Sequence, residues 1–223
     1  MLILLALVPF LIVSGVILFQ GEHYYLTSML MMMLSIVPFI WSFERRKPST
    51  KELVIISVMV AIAVASRLIG FMLPQVKLMA SVAIIASIAM GGNVGFVIGA
   101  VSAFVSNFFF GQGEWTPFQM FGLGIVCYLM GRLFHNKRNI KTIYIALTGG
   151  VAVFLIYGGI VDFSSVLLFA EGLTLENMKP VFLSGLAFNA IYGGVTVIGI
   201  FFLYPFILKK LERINIKYGL FKS

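Results

Sequence analysis

Residues 91–125 read GGNVGFVIGAVSAFVSNFFFGQGEWTPFQMFGLGI, two apolar runs divided by a polar and aromatic turn, GQGEWTPFQM, at 111–120. A helical crossing of the acyl core takes roughly 20 apolar residues, so the turn marks where the chain leaves the lipid and re-enters it. The rest of the sequence has the same character. Of the 223 residues 61% are hydrophobic and 11% charged, and the mean hydropathy is +1.06, which excludes an ordinary soluble domain. Candidate crossings fall at 2–19, 24–43, 52–69, 78–90, 93–110, 118–134, 142–161 and 181–208. The expected fold is therefore an all-α integral membrane protein with about eight transmembrane helices. Apolar residues dominate all faces of most segments, which argues against the alternating signal of a barrel. The fourth segment is short, so it is tilted, re-entrant or covered by its neighbours.

Cytoplasmic loops collect Lys and Arg. With both termini cytoplasmic, the inner side receives Arg45, Arg46, Lys47, Lys51, Arg132, Lys137, Arg138, Lys141, Lys209, Lys210, Arg213, Lys217 and Lys222, leaving only Arg67, Lys77 and Lys179 of the 16 basic residues outside. The net charge of +8 then reflects topology rather than nucleic-acid binding. No basic residue precedes the first apolar segment and no A-x-A site follows it, so it reads as a retained helix. The basic seam ERRKPSTKE at 44–52 divides the chain into a leading pair of helices (1–44), a six-helix core (51–211) and a basic cytoplasmic tail (212–223).

Two ladders of small residues recur at four-residue spacing, which places each on one helical face. Gly91, Gly95, Gly99, Ala103 and Asn107 form the longer one, read as a groove for internal packing. Ser57, Ala61 and Ala65 form the other, and spacing alone leaves internal packing and partner docking equally open.

Polar groups inside a membrane are costly and call for a reason. Arg67 lies at the outer end of its helix, before a break containing Pro74, Gln75 and Lys77. Snorkelling to the headgroups accounts for Arg67 alone. It does not account for Asn107, Gln112, Thr116, Gln119, Tyr157, Asp162, Asn189 and Tyr192, which the topology sends toward the same face. Together they suggest a pocket open to the outside. In the central turn, Gly111 and Gly113 permit a tight bend with exposed amides, Thr116 is a natural helix cap before Pro117, and Trp115 offers a flat stacking surface. The alternative for Trp115 is the interfacial aromatic belt, which leaves the glycines and glutamines around it unexplained.

Catalytic chemistry finds no support. His23 and His135 fall on opposite expected sides, and no H-E-x-x-H, G-x-S-x-G or phosphate-loop motif occurs. Cys127 stands alone, and the run Met29, Met31, Met32 and Met33 lacks companion ligands, so no metal site is expected. Any uphill transport must draw on ATP hydrolysed by another chain.

The stretches AIAVASRLIG (61–70), LPQVK (73–77), residues 91–125 and FNAIYGGVTVIGIFFLYPFILKKLER (188–213) resemble the substrate-binding S components of energy-coupling factor (ECF) vitamin transporters. The resemblance covers about Lys51 to Leu211, and N-F-F-F-G-Q-G-x-W-T-P-x-Q-M is its specific part. It implies a six-helix bundle in the bacterial cell membrane that is not an enzyme and binds no cofactor of its own. Such a bundle captures a vitamin from outside and topples on an ECF transmembrane scaffold subunit carrying two cytosolic ATPase subunits. The family's alanine docking motif maps onto Ala61 and Ala65, which raises docking above internal packing for that ladder. The tryptophan segment looks most like cobalamin or corrinoid members, with Trp115 stacking and Arg67, Gln75, Lys77, Asn107, Gln112, Thr116, Gln119, Tyr157, Asn189 and Tyr192 as the binding set. Another vitamin or a nucleoside-like ligand, and a purely structural membrane protein, are the alternatives. The two leading helices depart from the six-helix pattern.

Overall fold

A computed structural model of the chain describes residues 24–70, 72–135, 137, 140–169 and 174–219. The described residues contain helices and no strand: α1 (Tyr24–Glu44), α2 (Thr50–Ser66), α3 (Met79–Met90), α4 (Gly92–Phe110), α5 (Thr116–Phe134), α6 (Thr142–Phe169) and α7 (Leu175–Tyr218). The expected crossing at 2–19 lies outside the described residues. Four helices, α4 to α7, are long and apolar enough to span a membrane, while α3 is a shorter apolar helix. At 17 residues α2 measures about 25 Å at the standard helical rise. The last helix passes through Pro205 and continues to Tyr218, so most of the expected tail is helical.

The basic seam works as a helix start. Ser49 precedes α2 and its hydroxyl accepts from the Glu52 amide at 3.2 Å, an N-cap that satisfies one free donor. Glu52 in turn pairs with Arg46 at 2.9 Å, tying the end of α1 to the first turn of α2.

Helix α3 is the centre of the bundle. Eleven of its residues are buried, Ala89 alone being only partly so, because α2, α4, α5 and α7 surround it. A 12-residue helix sheathed in this way has no lipid-facing surface to match to the bilayer, which accounts for its length. It joins α4 directly at Gly91, whose φ of 91° lies in the region open to glycine.

The long glycine ladder is an internal seam. A Cβ on Gly99 would stand 2.7 Å from the Leu123 carbonyl oxygen, and one on Gly92 would stand 2.7 Å from that of Tyr128, so α4 and α5 meet backbone to backbone. Gly95 fits against Ser87, whose hydroxyl donates to the Cys127 carbonyl. Close contact of this kind replaces the hydrophobic effect as the driving force between helices in lipid. Gly99→Val is expected to destabilise the bundle by about 1–3 kcal/mol through overpacking. A lower melting midpoint in detergent checks this, and an unchanged midpoint would contradict the seam.

Helix α1 lies against α4, α5 and α6. Phe39 stacks on Phe96 at 4.0 Å and meets Tyr128 edge-on at 5.4 Å. The Ser57 ladder has the opposite fate. Ser57, Ala61 and Ala65 are all exposed, beside exposed Val54, Val58 and Ile62, so no described helix fills this face.

Helix α6 contains a π-helical turn at Val153–Tyr157 that accommodates one extra residue in the helix. Just before it, a Cβ on Gly150 would lie 2.8 Å from the Gly193 carbonyl oxygen, which brings α6 and α7 into close contact.

Candidate functional site

The end of the bundle where α2 and α4 finish and α5 begins carries a connected polar network. Arg67 follows the last residue of α2, and its Nη1 donates to Ser106 Oγ at 2.6 Å and to Asn107 Oδ1 at 3.0 Å. Its guanidinium also lies 4.3 Å from the centroid of the Phe110 ring, a cation–π arrangement. Asn107, buried on α4, donates through Nδ2 to Gln119 Oε1 at 2.8 Å and to Thr116 Oγ1 at 3.1 Å. Thr116 donates to Gln112 Oε1 at 2.9 Å, and Gln112 donates to the Phe104 carbonyl at 3.1 Å. Five residues expected in the site, Arg67, Asn107, Gln112, Thr116 and Gln119, thus form one unit across three helices.

The central turn differs in detail from expectation. Its glycine amides are engaged, Gly111 N–H donating to the Asn107 carbonyl at 2.8 Å and Gly113 N–H to Thr116 Oγ1 at 3.3 Å. Gly111 has φ 106° and terminates α4. Thr116 is the first residue of α5 rather than its cap; Trp115 takes the cap position and makes no side-chain cap bond. The Thr116 hydroxyl is committed instead to the polar network. The Trp115 indole lies over Gly113, where any Cβ would collide with it, and remains exposed at 36%.

Lys77, Tyr157 and Tyr192 form a second group. Lys77 Nζ lies 4.4 Å from the Tyr192 ring centroid and 5.9 Å from that of Tyr157, and the two rings meet edge-on at 5.4 Å. Burial, reinforced by the neighbouring Arg67 charge, pulls the Lys77 ammonium down to about 7. The π turn ends at Tyr157 and contributes it to this group.

Asn189 makes its hydrogen bond to Asp162, donating through Nδ2 to Oδ2 at 2.7 Å between α7 and α6. Gly158 abuts the Asn189 amide and Gly185 the Asp162 carboxylate, so both glycines leave room for a polar pair inside the bundle. Gln75 occupies the turn after α2 with φ 62° and is half-buried. Ser106 and Phe110 were not expected in the site. Their signal is the four-residue spacing that stacks them on one face of α4, with Asn107 beside Ser106.

Apolar helices enclosing a buried helix, with polar and aromatic side chains gathered at one end, describe a multi-pass membrane protein with a polar cluster at one end of the bundle. The family model for the ECF-type riboflavin transporter S component matches residues 47–210, and the chain belongs to that family. It is accordingly a membrane-embedded transporter subunit, the substrate-binding component that associates with an ECF scaffold and ATPase subunits. No curated protein and no solved structure matches it. The family match begins at 47, where the basic seam divides α1 from the rest.

Proposed function

We propose that this chain captures a vitamin with a broad ring system, a flavin ahead of a corrinoid, at the end of the bundle where Arg67 and Trp115 lie. The observation that carries the reading is the network centred on Asn107, which fixes donors and acceptors from three helices beside aromatic surfaces. A tricyclic isoalloxazine ring suits stacking on an exposed indole such as Trp115, with Tyr157 and Tyr192 as further aromatic surface. Its ribityl hydroxyls suit Arg67, Gln112 and Gln119, whose side chains both donate and accept or carry charge. The family's riboflavin designation favours the flavin over the corrinoid suggested by the tryptophan segment.

Delivery would follow by docking through the exposed Ser57, Ala61 and Ala65 face on the scaffold subunit. Toppling then turns the loaded site toward the cytosol as the ATPase subunits hydrolyse ATP. Lys77, Gln75 and Asn189 complete the proposed binding set, the last with its orientation fixed by Asp162.

A titration of the purified chain separates the ligands. Riboflavin fluorescence is expected to be quenched at sub-micromolar protein, with no displacement by cobalamin or cobinamide. Saturable cobalamin binding without riboflavin binding would replace the flavin by a corrinoid, and binding of neither would sink the vitamin reading.

A further inference from the structure

A second recessed site lies at the far end of the bundle. A cavity of about 540 Å³ is bordered by the ends of α3 and α5 and the last third of α7. Thr116 and Phe134 mark opposite ends of α5, about 27 Å apart at the standard rise, so this cavity is remote from the Arg67 network. Its walls are apolar at Ile88, Phe134, Ile140, Leu208 and Ile216, and polar at His135, Lys137, Tyr204, Glu212 and Asn215.

The polar groups have a definite sense. His135 Nδ1 lies 2.9 Å from the Ile88 carbonyl, which can only accept, so Nδ1 carries the proton and Nε2 of the neutral ring is an acceptor. Glu212 adds a carboxylate and Lys137 an ammonium. Among the described residues the one ion pair joins Arg46 to Glu52, so Lys137 and Glu212 border the cavity without closing on each other. The lining thus offers an ammonium, a carboxylate and, at His135 Nε2, a neutral acceptor above an apolar wall.

We propose that this cavity binds an amine-bearing zwitterionic phospholipid from the surrounding leaflet. Its ammonium hydrogen-bonds to Glu212 and His135 Nε2, its phosphate pairs with Lys137, and one acyl chain lies along Phe134, Leu208 and Ile216. A purely anionic lipid leaves Glu212 facing like charge. A choline headgroup carries no N–H to donate to Glu212 or His135. The site joins α7 to the ends of α3 and α5, so the lipid braces the half of the bundle opposite the ligand.

Native mass spectrometry of the full chain, extracted from vesicles of equal phosphatidylethanolamine, phosphatidylcholine and phosphatidylglycerol, tests this. Retained ethanolamine lipid is expected to exceed each of the other two by about tenfold, the scale of one charge-assisted hydrogen bond. Glu212→Gln is expected to bring the ratio near unity, with Lys137→Gln lowering total retention. Glu212 is exposed, so the variant should fold, and unchanged vitamin binding verifies that it does. Equal retention of all three lipids, or an ethanolamine preference that survives Glu212→Gln, overturns the proposal. So does equally tight binding of soluble glycerophosphoethanolamine, which would make the ligand a free metabolite rather than a lipid.

Discussion

Asn107→Ala should weaken vitamin binding about a hundredfold while the protein remains folded, because it removes the centre of the polar network. Asn107 accepts from Arg67 and donates to both Gln119 and Thr116. Without it, Gln119 Oε1 and Thr116 Oγ1 each lose a donor, and Arg67 keeps Ser106 as its hydrogen-bond acceptor in the network. A buried polar group that loses its partner costs about 1–3 kcal/mol. A hundredfold change in Kd corresponds to roughly 2.8 kcal/mol, within reach of the full loss at Gln119 together with the partial one at Thr116, which keeps the Gly113 N–H. The loss should appear chiefly in binding, since the side chains set free are those proposed to receive the ligand and must be reordered when it arrives. Asn107→Asp keeps an acceptor for Arg67 but not the donors, and should fall between alanine and the native chain. Ligand titration with a parallel melting curve reads both effects. Native affinity in Asn107→Ala would show that the network organises the bundle end without contributing to recognition.

Ala61→Trp and Ala65→Trp should each abolish cellular uptake, leaving vitamin affinity unchanged. Both positions are exposed on α2, along a face bordered by Val58 and Ile62, and neither faces the buried Ala63 side that meets the core. An indole there has room in the isolated chain and obstructs close helix-to-helix approach with a partner. The separation of effects is the point of the test: uptake needs the scaffold subunit, whereas titration of the purified chain does not. If both variants transport normally, the docking assignment falls and the exposed stripe is a lipid-facing surface. If both lose binding, α2 is coupled to the site through Arg67 at its end.

The helices were legible because membrane crossings need long apolar runs, and most expected boundaries lie within a few residues of those observed. The exceptions have local causes. The crossing expected at 142–161 continues as α6 to Phe169, passing Asp162, whose carboxylate accepts a hydrogen bond from Asn189. The crossing expected from 181 begins earlier, at Leu175, where the Thr174 hydroxyl caps α7 by accepting from the Asn177 amide at 3.3 Å. Of the candidate site, the gathering of Arg67, Asn107, Gln112, Thr116 and Gln119 at one end was legible as a set of residue types. Its pairings were not, since Arg67 finds Ser106 39 positions away, and which residue of α4 it meets depends on the rotation of two helices that no spacing rule fixes. Exposure of the Ala61 face likewise emerged only when the other helices were in place.

The π turn at Val153–Tyr157 has a consequence for comparing relatives of this chain. One extra residue in an α-helix shifts the phase of everything after it by about 100° at 3.6 residues per turn. A relative with an uninterrupted helix here would need a one-position gap before Tyr157 for its residues to be compared with the right partners. Without that gap, positions matched to Tyr157 and Asp162 would be drawn from a different helical face, and a change of specificity would be misread as a string of substitutions when its origin was a single insertion.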